Sequence, residues 1–111
     1  MLQSDILHYY ILDENNEVQS VGVDEYTEWL ERVGEAPVRI AWDVVNGKLV
    51  STVFLRATVN EDHFETQVFD DAGNGKLGMV VTSLGTFDRY KTYEEAKRGH
   101  ERIVERVKRG E

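Results

Sequence analysis

Asp62, His63 and Glu65 fall within four consecutive positions, and His63 and Glu65 would share one face of an extended strand. Two carboxylates and an imidazole can hold a divalent ion or relay a proton. A metal centre needs more ligands than one such group supplies, and no second cluster stands near it, so a surface loop is the simpler reading. Residues 70–75 faintly resemble a calcium loop. Aligning Gly73-Asn74-Gly75 with that pattern puts Ala72 at one ligand position and Val81 where a bidentate glutamate belongs. With two ligands lost, a plain turn is expected. His100 lies on the apolar face of a helical stretch, within reach of Asp88, Tyr90 or Tyr93. It reads as a half-buried core residue with one hydrogen bond, or as part of a pocket formed with Tyr93. No Gly-x-Ser-x-Gly elbow, phosphate loop or dinucleotide glycine pattern is present. Nothing here demands catalysis, a cofactor or a metal ion, and the expectation is a protein that is not an enzyme.

The elements that would position these residues centre on 38–70. Asn46-Gly47 separates two β-rich runs, and both residues tolerate the positive φ of a two-residue type I′ turn. That turn sets Val45 opposite Lys48, which pairs Val44 with Leu49, Trp42 with Ser51, Ile40 with Val53 and Val38 with Leu55. This face is almost wholly apolar and is expected to be the buried one. The other face, pairing Asp43 with Val50, Ala41 with Thr52 and Arg39 with Phe54, is mixed. The middle strand is read as Leu49 to Val59, followed by the loop Asn60 to His63 and a third strand pairing Val59 with Phe64, Leu55 with Val68 and Phe54 with Phe69.

On either side stand shorter elements. His8 to Leu12 reads as a strand, with Glu17 to Val21 returning as its hairpin partner. Asp24 is expected to cap a helix carrying Tyr26, Trp29, Leu30 and Val33 on one stripe, ended by Gly34 and Pro37. Met79 to Leu84 and Phe87 to Tyr90 read as strands interrupted at Gly85. Thr92 and Glu95 form a capping box for a last helix whose stripe is Ala96, His100, Ile103, Val104 and Val107. Gly99 beside that stripe implies a close approach of another element. The fold class is α+β: a mostly antiparallel twisted sheet of four to six strands with two helices on one face. Val53, Leu55, Val68, Trp29, Ile103 and Val107 are expected in one core cluster.

The chain has 111 residues, the size of a single domain, and no cysteine, which excludes disulfides and thiolate metal sites. No apolar run approaches the ~20 residues of a membrane span and no leader-like segment opens it, so a cytosolic setting is expected. The net charge of −8 is unevenly spread: residues 1–88 hold 16 acidic and 5 basic side chains, residues 89–111 hold 5 acidic and 8 basic. An acidic body disfavours direct contact with nucleic acid and suits a basic protein partner or mimicry of nucleic acid. It also simply keeps a small protein in solution. Glu25, Glu28 and Glu31, with Glu35, occupy the outer side of the first helix. Arg98, Arg102, Arg106 and Arg109 form a ridge on the last, opposite its apolar stripe. Opposite charge on two faces of one molecule suggests a two-fold homodimer.

The ordered set Tyr9-Tyr10-Ile11-Leu12-Asp13, Ser51-Thr52-Val53-Phe54-Leu55, Phe64-Glu65-Thr66-Gln67-Val68-Phe69 and Tyr90-Lys91-Thr92-Tyr93-Glu94-Glu95-Ala96 through Gly99-His100-Glu101-Arg102 resembles a group of small uncharacterised bacteriophage and prophage proteins. Where members of that group carry Leu-Asp-His after the Ser-Thr-Val-Phe-Leu strand, this chain has Arg56-Ala57-Thr58. The resemblance implies a phage context, hence the cytoplasm of an infected or prophage-carrying bacterial cell, and brings no activity or site with it. The function expected is that of an accessory protein that binds another macromolecule, an inhibitor or decoy of a host defence component. The alternatives are a virion or assembly protein and a binder of a small metabolite or nucleotide.

Overall fold

The computed structural model describes residues 9–34, 38–55, 62–71, 73, 77–80 and 88–110. Its elements follow in the order β1 (Tyr9–Leu12), β2 (Val18–Val21), α1 (Val23–Val33), β3 (Val38–Val45), β4 (Lys48–Phe54), β5 (Phe64–Asp71), β6 (Leu77–Val80), β7 (Asp88–Tyr90) and α2 (Tyr93–Lys108). This is an α+β fold with antiparallel pairing throughout. β1 and β2 form a separate two-stranded sheet. The main sheet has five strands in the order β3-β4-β5-β6, with β7 also paired to β5.

The β1–β2 hairpin is the predicted one, with Leu12 opposite Val18. Its turn is organised by Asp13, whose Oδ1 accepts the backbone N–H groups of Asn15 (2.8 Å) and Glu17 (3.0 Å). These bonds and one from Gln19 hold the Asp13 carboxyl below its ordinary pKa, the Glu17 amide being the largest cause. Asn16 takes the left-handed conformation there, with φ 62°. Helix α1 begins two residues earlier than expected. Gly22 is the N-cap and makes no side-chain cap, so Asp24 sits inside the first turn, where its charge favours the helix dipole. Gly34 ends the helix as predicted, with φ 85° and its N–H bonded to Leu30 O at 2.8 Å. Of the predicted stripe only Trp29 is buried; Val33 is 43% exposed.

The Asn46-Gly47 turn has φ of 51° and 75°, the two positive values a type I′ turn needs. The β3–β4 register follows the prediction from Val45–Lys48 to Ala41–Thr52. A bulge at Ile40 then shifts it, giving Arg39 opposite Val53 and Val38 opposite Phe54. The β4–β5 register differs from the expected one. Phe54 pairs with Phe64, Thr52 with Thr66 and Val50 with Val68. Strand β4 ends at Phe54, and Leu55 bonds back through its N–H to His63 O at 2.7 Å. The expected continuation to Val59 and the segment around Gly85 and Phe87 lie outside the described residues, as do Glu35 and Pro37.

The register change carries a correction of face. Val50, Thr52 and Phe54 point into the core with Phe64, Thr66 and Val68, whereas Val53 and Leu55 are half-buried. Aromatic packing decides this: the Phe54 and Phe64 rings meet at a tilt with centroids 5.5 Å apart, and Trp29 of α1 meets Phe54 edge-on at 5.9 Å. The core is also two clusters, not one. Ile11, Trp29, Phe54, Phe64, Tyr90 and Ala96 form the first; Val50, Val68, Ile103 and Val107 form the second. Both helices therefore bear on one face of the main sheet, α2 over both clusters and α1 over the aromatic one. Each large side chain so buried stabilises the fold by about 1.5–3 kcal/mol before its entropy cost.

Helix α2 is fixed at both ends. The capping box is formed: Glu95 N–H donates to Thr92 Oγ1 at 3.1 Å, and Thr92 N–H donates to Glu95 Oε1 at 3.3 Å. At the other end Asn46 Nδ2 donates to the carbonyl oxygens of Val107 (3.0 Å) and Lys108 (3.3 Å). The hairpin turn thus satisfies helix carbonyls that would otherwise face water.

Candidate functional site

Between the two apolar clusters the sheet presents threonine on neighbouring strands, Thr52 on β4 and Thr66 on β5, directly paired and both fully buried. Their hydroxyl oxygens lie 2.5 Å apart. Above them α2 places His100, 3% exposed, with Nδ1 at 2.7 Å from Thr52 Oγ1. Its other nitrogen, Nε2, meets Asp43 Oδ2 on β3, also at 2.7 Å. The result is a continuous hydrogen-bonded row, Thr66–Thr52–His100–Asp43, running under the helix from the sheet interior to solvent. Asp43 is the wet end, its side chain 53% exposed. In the neutral imidazole the assignment follows from Asp43, which can only accept: Nε2–H donates to it, Nδ1 accepts the Thr52 hydroxyl, and Thr52 accepts the Thr66 hydroxyl.

Carboxylate, imidazole and hydroxyl in line are the components of a nucleophile triad. Here the hydroxyl is at the dry end. Thr52 has no exposure, and it lines none of the grooves found among the described residues. No substrate carbonyl can reach its oxygen, and the row works instead as a satisfied polar seam in the core.

Tyr90 of β7 closes the seam from the other side. Burial pushes its hydroxyl pKa up; Thr66 pulls it partly back, although the two oxygens do not meet in regular hydrogen-bond geometry, while Asp88 raises it and Arg102 lowers it. The Tyr90 ring packs against Gly99, where a Cβ would overlap the ring and its hydroxyl. That is the close approach Gly99 foretold.

The predicted site residues distribute differently. His100 is fully buried with two partners, not half-buried with one, and the partners are Thr52 and Asp43, not Asp88, Tyr90 or Tyr93. Tyr93 lines a groove at the start of α2 to which, among the described residues, His100 does not contribute. Asp43 and Thr52 were missed because they sit on the face read as mixed, not on the one expected to be buried. The signal was there: Asp43, Thr52 and Thr66 share one face once Phe54 is paired with Phe64.

Asp62, His63 and Glu65 do not gather as ligands. Asp62 pairs with Lys91 (3.7 Å), Glu65 with Arg89 (3.2 Å), and His63 is buried with its ring 4.5 Å from that of Tyr10. Among the described residues no three His, Cys, Asp or Glu side chains converge. Of residues 70–75, Asp70 and Asp71 end β5 and the rest except Gly73 lie outside the described residues; Asp71 Oδ1 accepts the Gly73 N–H at 3.0 Å, and Asp70 pairs with Lys48 at 3.3 Å.

Glu25, Glu28 and Glu31 are all exposed on α1. Arg98, Arg102 and Arg109 are exposed on α2, and Arg106 is half-buried. Glu105 meets Lys108 at 3.6 Å. A groove of about 730 Å³ opens between the β1–β2 turn and the start of α2.

No protein family, no curated protein and no solved structure matches this chain. No helix of the described residues is long and apolar enough to cross a membrane.

Proposed function

We propose that the protein acts by binding another macromolecule, a protein that offers it a basic surface. The observation that carries this reading is the exposed acidic face of α1. Glu25, Glu28 and Glu31 lie one turn apart along it, and none of the three has an ion-pair partner among the described residues. Like charges in that spacing cost stability slightly within the helix, so they gain only from an outside partner or from solvent. Such a surface steers a positively charged protein toward it and repels phosphate backbones.

The resemblance to bacteriophage and prophage proteins points to a host protein as the partner. An inhibitor or decoy occupying a site built for nucleic acid is the form that fits an acidic face. A second copy of the chain is the other basic surface at hand, through Arg98, Arg102, Arg106 and Arg109; sedimentation equilibrium at low salt would then give twice the monomer mass.

Affinity capture of the tagged protein from host lysate supplies the partner for measurement. Binding to it should weaken steeply with salt, and the E25Q/E28Q/E31Q variant should bind less tightly with its fold intact. Affinity indifferent to both would exclude the acidic face as the binding surface.

A further inference from the structure

The groove between the β1–β2 turn and α2 has walls from opposite ends of the chain. One side is Glu17 and its neighbours, presented by the turn that Asp13 holds rigid. The other is Tyr93 and Glu94 in the first turn of α2. Tyr10 also lines it, its ring braced by His63 at 4.5 Å, and Phe64 supports the Tyr93 ring edge-on at 6.3 Å.

Charge decides what it can hold. A helix N-terminus ordinarily welcomes an anion. Here Glu94 and Glu95 already fill that role, and the Glu95 carboxylate accepts the N–H groups of Lys91 and Thr92 at 3.2 and 3.3 Å. Lys91, the one cation among the lining residues, is paired with Asp62 at 3.7 Å. Glu17 and Glu94 have no ion-pair partner among the described residues. The Tyr93 ring already attracts a cation, with Lys97 Nζ 5.8 Å from its centre. Two open carboxylates beside two tyrosine rings suit a planar cation, which can pair with oxygen at its edge and stack through its face.

We infer that this groove receives an arginine side chain of a protein partner. The inference rests on the reading that the protein binds a basic macromolecule, and it locates a contact on a surface other than α1. The test is an amide NMR titration of the whole chain with N-acetyl-arginine amide. The neutral isostere N-acetyl-citrulline amide and inorganic phosphate serve as parallel probes.

The arginine probe should move amides of residues 15–20 and 91–94, with millimolar affinity for so small a ligand. The E17Q/E94Q variant, altered at two exposed positions, should bind it roughly tenfold more weakly, with the rest of its spectrum unchanged. Equal binding of citrulline, preferential binding of phosphate, or no localised shift would each overturn the inference. If the arginine probe fails while partner binding still depends on Glu25, Glu28 and Glu31, the groove alone is refuted. If both fail, the broader reading goes with it.

Discussion

Thr52→Val is the sharpest probe of the polar seam. Valine has the shape of threonine without the hydroxyl, so no cavity opens and the change is electrostatic. It removes the atom bonded at 2.5 Å to Thr66 and at 2.7 Å to His100. What remains is one buried hydroxyl and one buried imidazole nitrogen, each without that partner and both shielded from water. An unsatisfied buried polar group costs about 1–3 kcal/mol, and the added methyl returns somewhat under ~1 kcal/mol. The expected net loss is therefore roughly 1–5 kcal/mol, a large share of the ~5–15 kcal/mol that stabilises a typical domain. Urea unfolding followed by the fluorescence of Trp29 and Trp42 should show the midpoint falling by on the order of 1–2 M. A loss below ~0.5 kcal/mol would mean the hydroxyl row contributes nothing and the account of the site is wrong.

Two further outcomes follow from Tyr90. Gly99→Ala should destabilise, because displacing the ring costs about 1–3 kcal/mol against a helix-propensity gain of ~1 kcal/mol; in a Tyr90→Ala background it should become stabilising, and the same sign in both would refute the contact. Burial raises the Tyr90 pKa above its ordinary 10.0, so the unfolded chain ionises first: stability from this group is complete below about pH 10 and is lost as pH rises through the raised value. Tyr90→Phe should change stability little at neutral pH and remove part of the alkaline loss, and urea midpoints at pH 7 and pH 11 check it.

What could be read from the sequence was local chemistry. The Asn46-Gly47 turn, the Thr92–Glu95 box and the stop at Gly34 each depend on a few adjacent residues, and all three formed. The stripe of α2 was also legible, since Ala96, Ile103 and Val107 are buried where a 3.6-residue period puts them. The buried face of β4 was not. Counting apolar residues favoured Leu49, Val53 and Leu55, of which only Leu49 is fully buried, and a short β4–β5 loop was assumed. In the structure Phe54 faces Phe64, and the bulge at Ile40 turns Arg39 onto the ring of Trp42, 3.4 Å from its centre, away from the helices. Threonine on the buried face reads as a surface residue until its partner strand is known. Thr52 and Thr66 satisfy each other, and only the register reveals that.

Such a seam bears on where α2 lies as well as on how stable it is. Apolar contact is non-directional, so Ile103 and Val107 over Val50 and Val68 would tolerate a helix slid by part of a turn. The hydrogen bonds would not. His100 meets a different strand with each nitrogen, and a shift of one turn, ~5.4 Å, breaks both contacts. The position of α2 in turn sets Glu94 and Tyr93 against the β1–β2 turn and lays the arginine ridge along the outer side. Replacing the whole row in T52V/T66V/H100L leaves none of the row's own buried polar groups unmet, while Asp43 keeps its water. That variant should lose far less stability than the sum of its single changes. If the seam fixes placement, its α2 amide resonances should nonetheless broaden or double, with Asn46 and Thr92 still holding the ends. A triple variant with single, sharp α2 resonances at wild-type positions would show that packing alone places the helix.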